Sequence, residues 1–221
     1  MNIKRKNEKY LNLITVFALC FSLVISFVIE GFTASDEVRD NCLRLHILAD
    51  SDSDEAQKVK LLVRDAVLEA GAELFEKNTD AAEAAEKILS NKEMLEETAD
   101  RVLRENGFSY KATLSVTEEY FDTRQYEDIR LPAGRYRACR IVLGEGKGKN
   151  WWCIMFPPLC LPAVTENTED AYAVFGEGGA ELVTENSGYV IKFRIVEIVE
   201  ELREKIMDAI KEREESKSTC S

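Results

Sequence analysis

Two side chains in this 221-residue sequence have the types needed for nucleophilic chemistry: the thiol of Cys153 and the imidazole of His46, the chain's only histidine. A thiol attacks as its thiolate, and an adjacent imidazole could take the proton. Both fall in segments that read as strands, NCLRLHILA from Asn41 and NWWCIMF from Asn150, so strand pairing could bring them together. No third group with a recognisable spacing orients the base, which leaves the pair as an alternative only. Other chemistries find less support. One histidine and no C-x-x-C spacing offer no zinc set. Asp50, Asp52 and Asp54 open like a calcium loop, but the turn glycine would fall at Glu55 and the bidentate glutamate at Leu61. Those acids read as a capping loop instead, with Ser53 or Asp54 as N-cap. Glu118, Glu119 and Asp122 sit at a strand end and read as solvated charge. Gly144, Gly146 and Gly148 resemble a phosphate loop, yet they lead into WWCIMF rather than a helix. A glycine-rich hairpin turn is the expectation. No cofactor and no metal is expected.

What remains is a dense stretch from Leu131 to Cys160 with both tryptophans, Trp151 and Trp152, and Pro132, Pro157 and Pro158. Adjacent residues on a strand point to opposite faces, so one tryptophan is expected in the core and the other outside. Interface anchors are enriched in Trp, Tyr and Arg. Arg124, Tyr126, Arg130, Trp151, Trp152 and Phe156 are therefore the candidate partner-binding residues. Cys153 and Cys160 could pair across the Pro157–Pro158 bend, closing a loop worth about 2–3 kcal/mol; two buried thiols are the other reading.

The elements that position these residues follow from periodicity. A strand over 41–49 places Leu43, Leu45 and Ile47 on one face, and a helix over 55–76 carries Val59, Val63 and Val67 on one stripe. A helical region over 80–106 should break near Ser90, where Ser90 and Glu93 form a capping box, and stop at Gly107. Strands are expected near 110–116, over 134–143 and 150–156, and over 189–195, with an amphipathic helix over 196–213 through Val199, Leu202, Ile206 and Ile210. This order lacks regular βα alternation. The predicted fold is α+β, a mainly antiparallel sheet with helices packed on one face. The acidic, weakly patterned residues 166–187 read as an insertion or mobile loop.

Ahead of this domain, Lys4, Arg5, Lys6 and Lys9 precede LNLITVFALCFSLVISFVI, uncharged until Glu30. A basic flank and an apolar run of this length make a signal peptide or a membrane anchor, with the following chain exported. Residues 1–35 are assigned to that leader, 36–213 to one α+β domain and 214–221 to a flexible tail. A net charge of -12 argues against nucleic acid.

Three strings then carry a resemblance: LRLHILADSDSDEAQKVKLLVRDAVL, FDTRQYEDIRLPAGRYRACRIVLGEGKGKNWWCIMFPPLC and VIKFRIVEIVEEL. Together they resemble stage II sporulation protein R over about 43–201, apart from the loop after Pro162. The resemblance implies an intercellular signalling protein rather than an enzyme. Such proteins are made in the forespore and exported into the space between the septal membranes. There they activate a membrane-embedded aspartic protease, which removes the pro-sequence of the mother-cell sigma factor, sigma-E. That protease is the expected partner, with the membrane as a second one through an uncleaved leader. The enzymatic alternative is an exported cysteine hydrolase using Cys153 and His46.

Overall fold

The computed structural model describes residues 2–75, 79–126, 129–157, 175, 179, 182–183 and 190–218. Its first element, α1 (Asn2–Asp40), is one unbroken helix. Within it, Asn12–Asp40 is long and apolar enough to cross a membrane, and Leu13, Phe17 and Phe21 lie fully outside any core. The last turns differ. Ala34, Ser35 and Val38 are buried, and the Ser35 hydroxyl accepts from Arg39 Nη1 at 2.7 Å. The folded domain thus begins inside α1, upstream of the expected boundary at residue 35.

A four-stranded sheet follows, formed by β1 (Leu43–Leu48), β2 (Ala112–Phe121), β5 (Gly134–Leu143) and β6 (Asn150–Phe156). Two short strands, β3 (Arg124–Tyr126) and β4 (Ile129–Leu131), pair as a separate hairpin. The sheet order is β2-β5-β1-β6. β2–β5 and β1–β6 are antiparallel, and β1–β5 is parallel. The α+β class with a mainly antiparallel sheet holds. β5 and β6 do not form the hairpin expected of GEGKGK, because β1 lies between them. The glycines instead cross the end of β1.

Leu43, Leu45 and Ile47 do share a face, where they meet Cys139, Ile141, Leu143 and Cys153. Three helices cover it: α2 (Asp54–Ala72), α3 (Ala81–Ser90) and α4 (Lys92–Glu105). Ser53 caps α2 by accepting from the Ala56 amide at 3.2 Å. The break after Ser90 is real, but the Ser90–Glu93 box is not its cause. Asn91 ends α3 by donating from Nδ2 to the Lys87 carbonyl at 2.8 Å, and gives α4 no side-chain cap. Gly107, at φ 84, closes α4 in the left-handed conformation that only glycine adopts freely.

The opposite face of the sheet carries a second core of Phe121, Tyr136, Ile154 and the hairpin residues Ile129 and Leu131, closed by the end of α1. Phe175, Leu182 and Val183 are buried there too, so these three residues of the predicted mobile loop are core residues. The final helix, α5 (Val190–Ser218), packs on α1 and β5. It takes in residues 190–195 of the strand expected over 189–195, whose first residue lies outside the described residues, and part of the expected tail. The alternation in VIKFRI is too short to set a strand when the apolar spacing continues in helical period through Val199 and Leu202.

A chain starting at Glu30 should resist urea better than one starting at Asp36, by about 1–2 kcal/mol, since the shorter one lacks Ala34 and Ser35. Coincident unfolding midpoints would show these turns to be dispensable.

Candidate functional site

Every second residue of β1 faces the second core, and there the chain places polar groups. Arg44 and His46 alternate with the leucines and are almost wholly buried. The Arg44 guanidinium lies 4.2 Å from the Phe121 ring centroid, 4.9 Å from that of Tyr136 and 5.5 Å from that of Tyr126. Its Nε donates to the Cys153 carbonyl at 3.1 Å and Nη2 to the Tyr126 hydroxyl at 2.7 Å. Aromatic faces and neutral oxygens replace water around the cation.

Next along the strand, the His46 ring stacks on Trp152 with centroids 3.7 Å apart and planes at 13°. Trp152 also meets Phe121 edge to face at 4.8 Å. His46 Nδ1 lies 2.5 Å from Glu119 Oε2. Thr117 donates to the other carboxylate oxygen at 2.9 Å, and Arg140 Nε stands 3.3 Å from it. Burial alone would raise the Glu119 pKa; the His46 contact, the Thr117 bond and the Arg140 charge together hold it below the ordinary glutamate range. Glu119 is thus part of a polar cluster, not the solvated charge expected from its place in the sequence.

The two tryptophans point to opposite faces of β6, yet neither is simply in or out. Both are half-buried. Trp151 packs on the helical core beneath the Arg64 guanidinium, 4.6 Å from its ring centroid. Each indole is covered by a basic side chain. The candidate partner-binding residues therefore divide. Tyr126 and Trp152 each pack against the second core, and Trp151 lies across the sheet. Arg124 is exposed on β3 and Arg130 is half-buried on β4. Phe156 is buried, edge to face with Phe75 at 5.3 Å, and is a core residue. The kink that turns it inward is a register shift between β1 and β6 at Leu43–Arg44.

The nucleophile–base pair does not assemble. Cys153 pairs with Leu45 and Trp152 with His46, which puts Cys153 and His46 on opposite faces of the sheet. Cys153 is moreover disulfide-bonded; its predicted partner Cys160 lies outside the described residues. Burial pushes the thiols of Cys42 and Cys139 up to about 12, in Cys42 against the opposing pull of Arg44. Those two are protonated at neutral pH and are no nucleophiles. Among the described residues no His, Cys, Asp and Glu group is arranged to hold a metal.

At the far end of β1 the acid loop and the glycine loop interlock. Asp50 Oδ1 accepts from the Glu145 amide at 2.8 Å, and Asp52 Oδ1 from the Lys149 amide at 2.7 Å. The backbones touch as well: Gly148 donates to the Ala49 carbonyl at 2.8 Å, and a Cβ on Gly148 would come within 2.2 Å of the Ser51 carbonyl oxygen. Lys60 of α2 reaches in from below, donating to the Lys149 carbonyl at 2.9 Å and to Gln57 Oε1 at 2.7 Å. Burial lowers its pKa, with Asp52 opposing. This is a structural clasp in which carboxylates satisfy loop amides.

In this α+β domain behind a membrane-length helix, one buried cation is boxed by aromatic rings and the only histidine is turned away from the disulfide-bonded Cys153. The sequence model for stage II sporulation protein R (spore_II_R) matches residues 39–166, from the last turn of α1 through β6, so the chain belongs to the stage II sporulation protein R family. It is similar to the stage II sporulation protein R of Bacillus subtilis (strain 168), 37% identical over 123 residues, which are 56% of this chain and 55% of that protein. The match thus spans about half the length of the curated relative. No solved structure matches the chain.

Two variants test this site. Arg44→Ala should cost about 3 kcal/mol in urea unfolding, because it leaves both a cavity and an unpaired Cys153 carbonyl. Glu119→Gln tests the cluster by pH. A carboxyl with a depressed folded pKa contributes stability above its unfolded value, about 4.3, and loses it as pH falls through the folded value. The stability gap between wild type and variant should therefore be full near pH 7 and close toward pH 3. A gap independent of pH would rule out the charged pairing.

Proposed function

We propose that this protein is an exported signalling protein of sporulation that activates a membrane-embedded aspartic protease and so leads to removal of the pro-sequence of sigma-E. The observation that carries this reading is the family match over residues 39–166, which takes in the whole sheet and its helical cover. The membrane-length α1 behind a basic flank supports export of the domain across the forespore membrane. Its end is built into the second core, which favours a domain held close to the membrane that its receptor occupies.

On this reading the receptor contact is made by groups that reach solvent without holding the fold. Arg124 on the β3–β4 hairpin meets both conditions, being exposed and at the end of a two-stranded ribbon. Trp151, Trp152, Tyr126 and Arg130 are partly accessible and flank it in a supporting role. Phe156 is excluded.

In sporulating cells, deletion of the gene should abolish sigma-E maturation on immunoblots, and normal processing in the deletion strain would sink the proposal. Arg124→Ala should weaken processing while the protein accumulates and unfolds like wild type. Trp152→Ala should lower the amount of folded protein first, since it removes the lid of His46.

A further inference from the structure

The final helix is amphipathic in the reverse sense. A docked helix normally turns its apolar stripe to the core and its charges to water. In α5 the acids face the domain: Glu197 and Glu200 are buried, Glu200 pairs with Arg39 of α1 at 3.4 Å, and Glu204 accepts from Arg135 at 2.9 Å. Tyr120, at the end of β2, has its pKa pushed up to about 12, first by burial and then by surrounding acids that include Glu200, Glu201 and Glu204. Beyond Val196, which is buried, the aliphatic residues point outward. Leu202, Ile206 and Ile210 are 53%, 59% and 48% exposed, and Ile198 is 52% exposed. They recur at the spacing of one helical face, so they form a continuous stripe.

Between Ile198 and Ile210 the charge around that stripe is sorted. At roughly 3.6 residues per turn, Arg203 and Lys205 fall on its two edges, whereas Glu201 and Asp208 fall on the far side. Aliphatic residues rimmed by long cations, with acids opposite, suit a lipid–water interface, where the stems lie along the acyl boundary and the charges reach the headgroups. Position agrees with this. The Arg39–Glu200 contact lies only about 15 Å of helix beyond Ile29, the last residue of the apolar run of α1.

We propose that α5 is a second membrane element, which docks its apolar stripe on the surface of the bilayer that α1 crosses. The net charge of -12 opposes adsorption to anionic lipid, so apolar burial drives the contact and the two rim cations only adjust it. The inference rests on α1 remaining in the bilayer and needs no receptor, so its failure would leave the signalling proposal untouched.

The test uses the full chain reconstituted through α1 into phosphatidylcholine vesicles, with and without phosphatidylglycerol. An environment-sensitive fluorophore is placed on Ile206→Cys or, on the opposite face, on Asp208→Cys, with Cys20 and Cys220 changed to serine. Background labelling is measured on the chain carrying neither new cysteine. The Ile206→Cys probe should lose most of its emission to doxyl-labelled lipid and keep it in iodide, and the Asp208→Cys probe should do the reverse, in both lipid mixtures. Three results overturn the proposal: iodide access at both positions, shielding at Ile206→Cys that follows protein concentration rather than lipid, as for a second copy, or quenching seen only with phosphatidylglycerol.

Discussion

A guanidinium with no exposed surface sits at the centre of this molecule, and much of the fold can be read as the arrangement that tolerates it. Arg44 is 0% exposed and has no carboxylate partner among the described residues. An isolated buried charge costs several kcal/mol unless its surroundings replace hydration. The replacement comes from four elements at once: Phe121 ends β2, Tyr126 belongs to the hairpin, Tyr136 starts β5, and the Cys153 carbonyl lies on β6. Tyr136 is fixed in turn by its hydroxyl, which donates to the Pro132 carbonyl at 2.6 Å. The hairpin has little core of its own, and Arg44 is what ties Tyr126 to the sheet. The second core is therefore assembled around a cation, whereas the core under α2, α3 and α4 is aliphatic.

That difference explains what could be read from the sequence and what could not. Leu43, Leu45 and Ile47 announce a strand with one apolar face, and the valine stripe of α2 announces its cover; period and composition suffice there. Arg44 and His46 look like the solvent face of the same strand. The error follows from topology: β1 is an interior strand covered on both sides, which becomes known only once the parallel pairing with β5 is known. A polar residue alternating with leucines is ambiguous until strand order is settled. Glu119 looks solvated for the same reason, since its partner His46 lies 73 residues away.

The glycine loop shows a second kind of limit. Gly144, Gly146 and Gly148 signal special backbone geometry, and a hairpin is the shortest-range way to use it. Here the need comes from another segment. Asp50 and the Ser51 carbonyl occupy the space where side chains on Gly144 and Gly148 would be, and Asp50 and Asp52 accept from the loop amides. The two most distinctive strings of the sequence, DSDSDEAQ and GEGKGKN, are the halves of one clasp. Candidate contacts for a partner were the least legible part, because Arg124, Trp151 and Phe156 have similar chemistry on paper and quite different burial.

One feature of the topology gains meaning when the anchor is considered as a tether. β1 follows α1 after only Asn41 and Cys42, and it is the strand held on both sides, by β5 and by β6. A pull on the membrane helix would reach this central strand before any other part of the sheet. Because β1 is bonded along its whole length to both neighbours, such a pull loads the two ladders together in shear instead of unzipping one bond at a time. With α1 held in a membrane, the domain would hang from a strand bonded on both sides, so tension along α1 would meet two ladders at once.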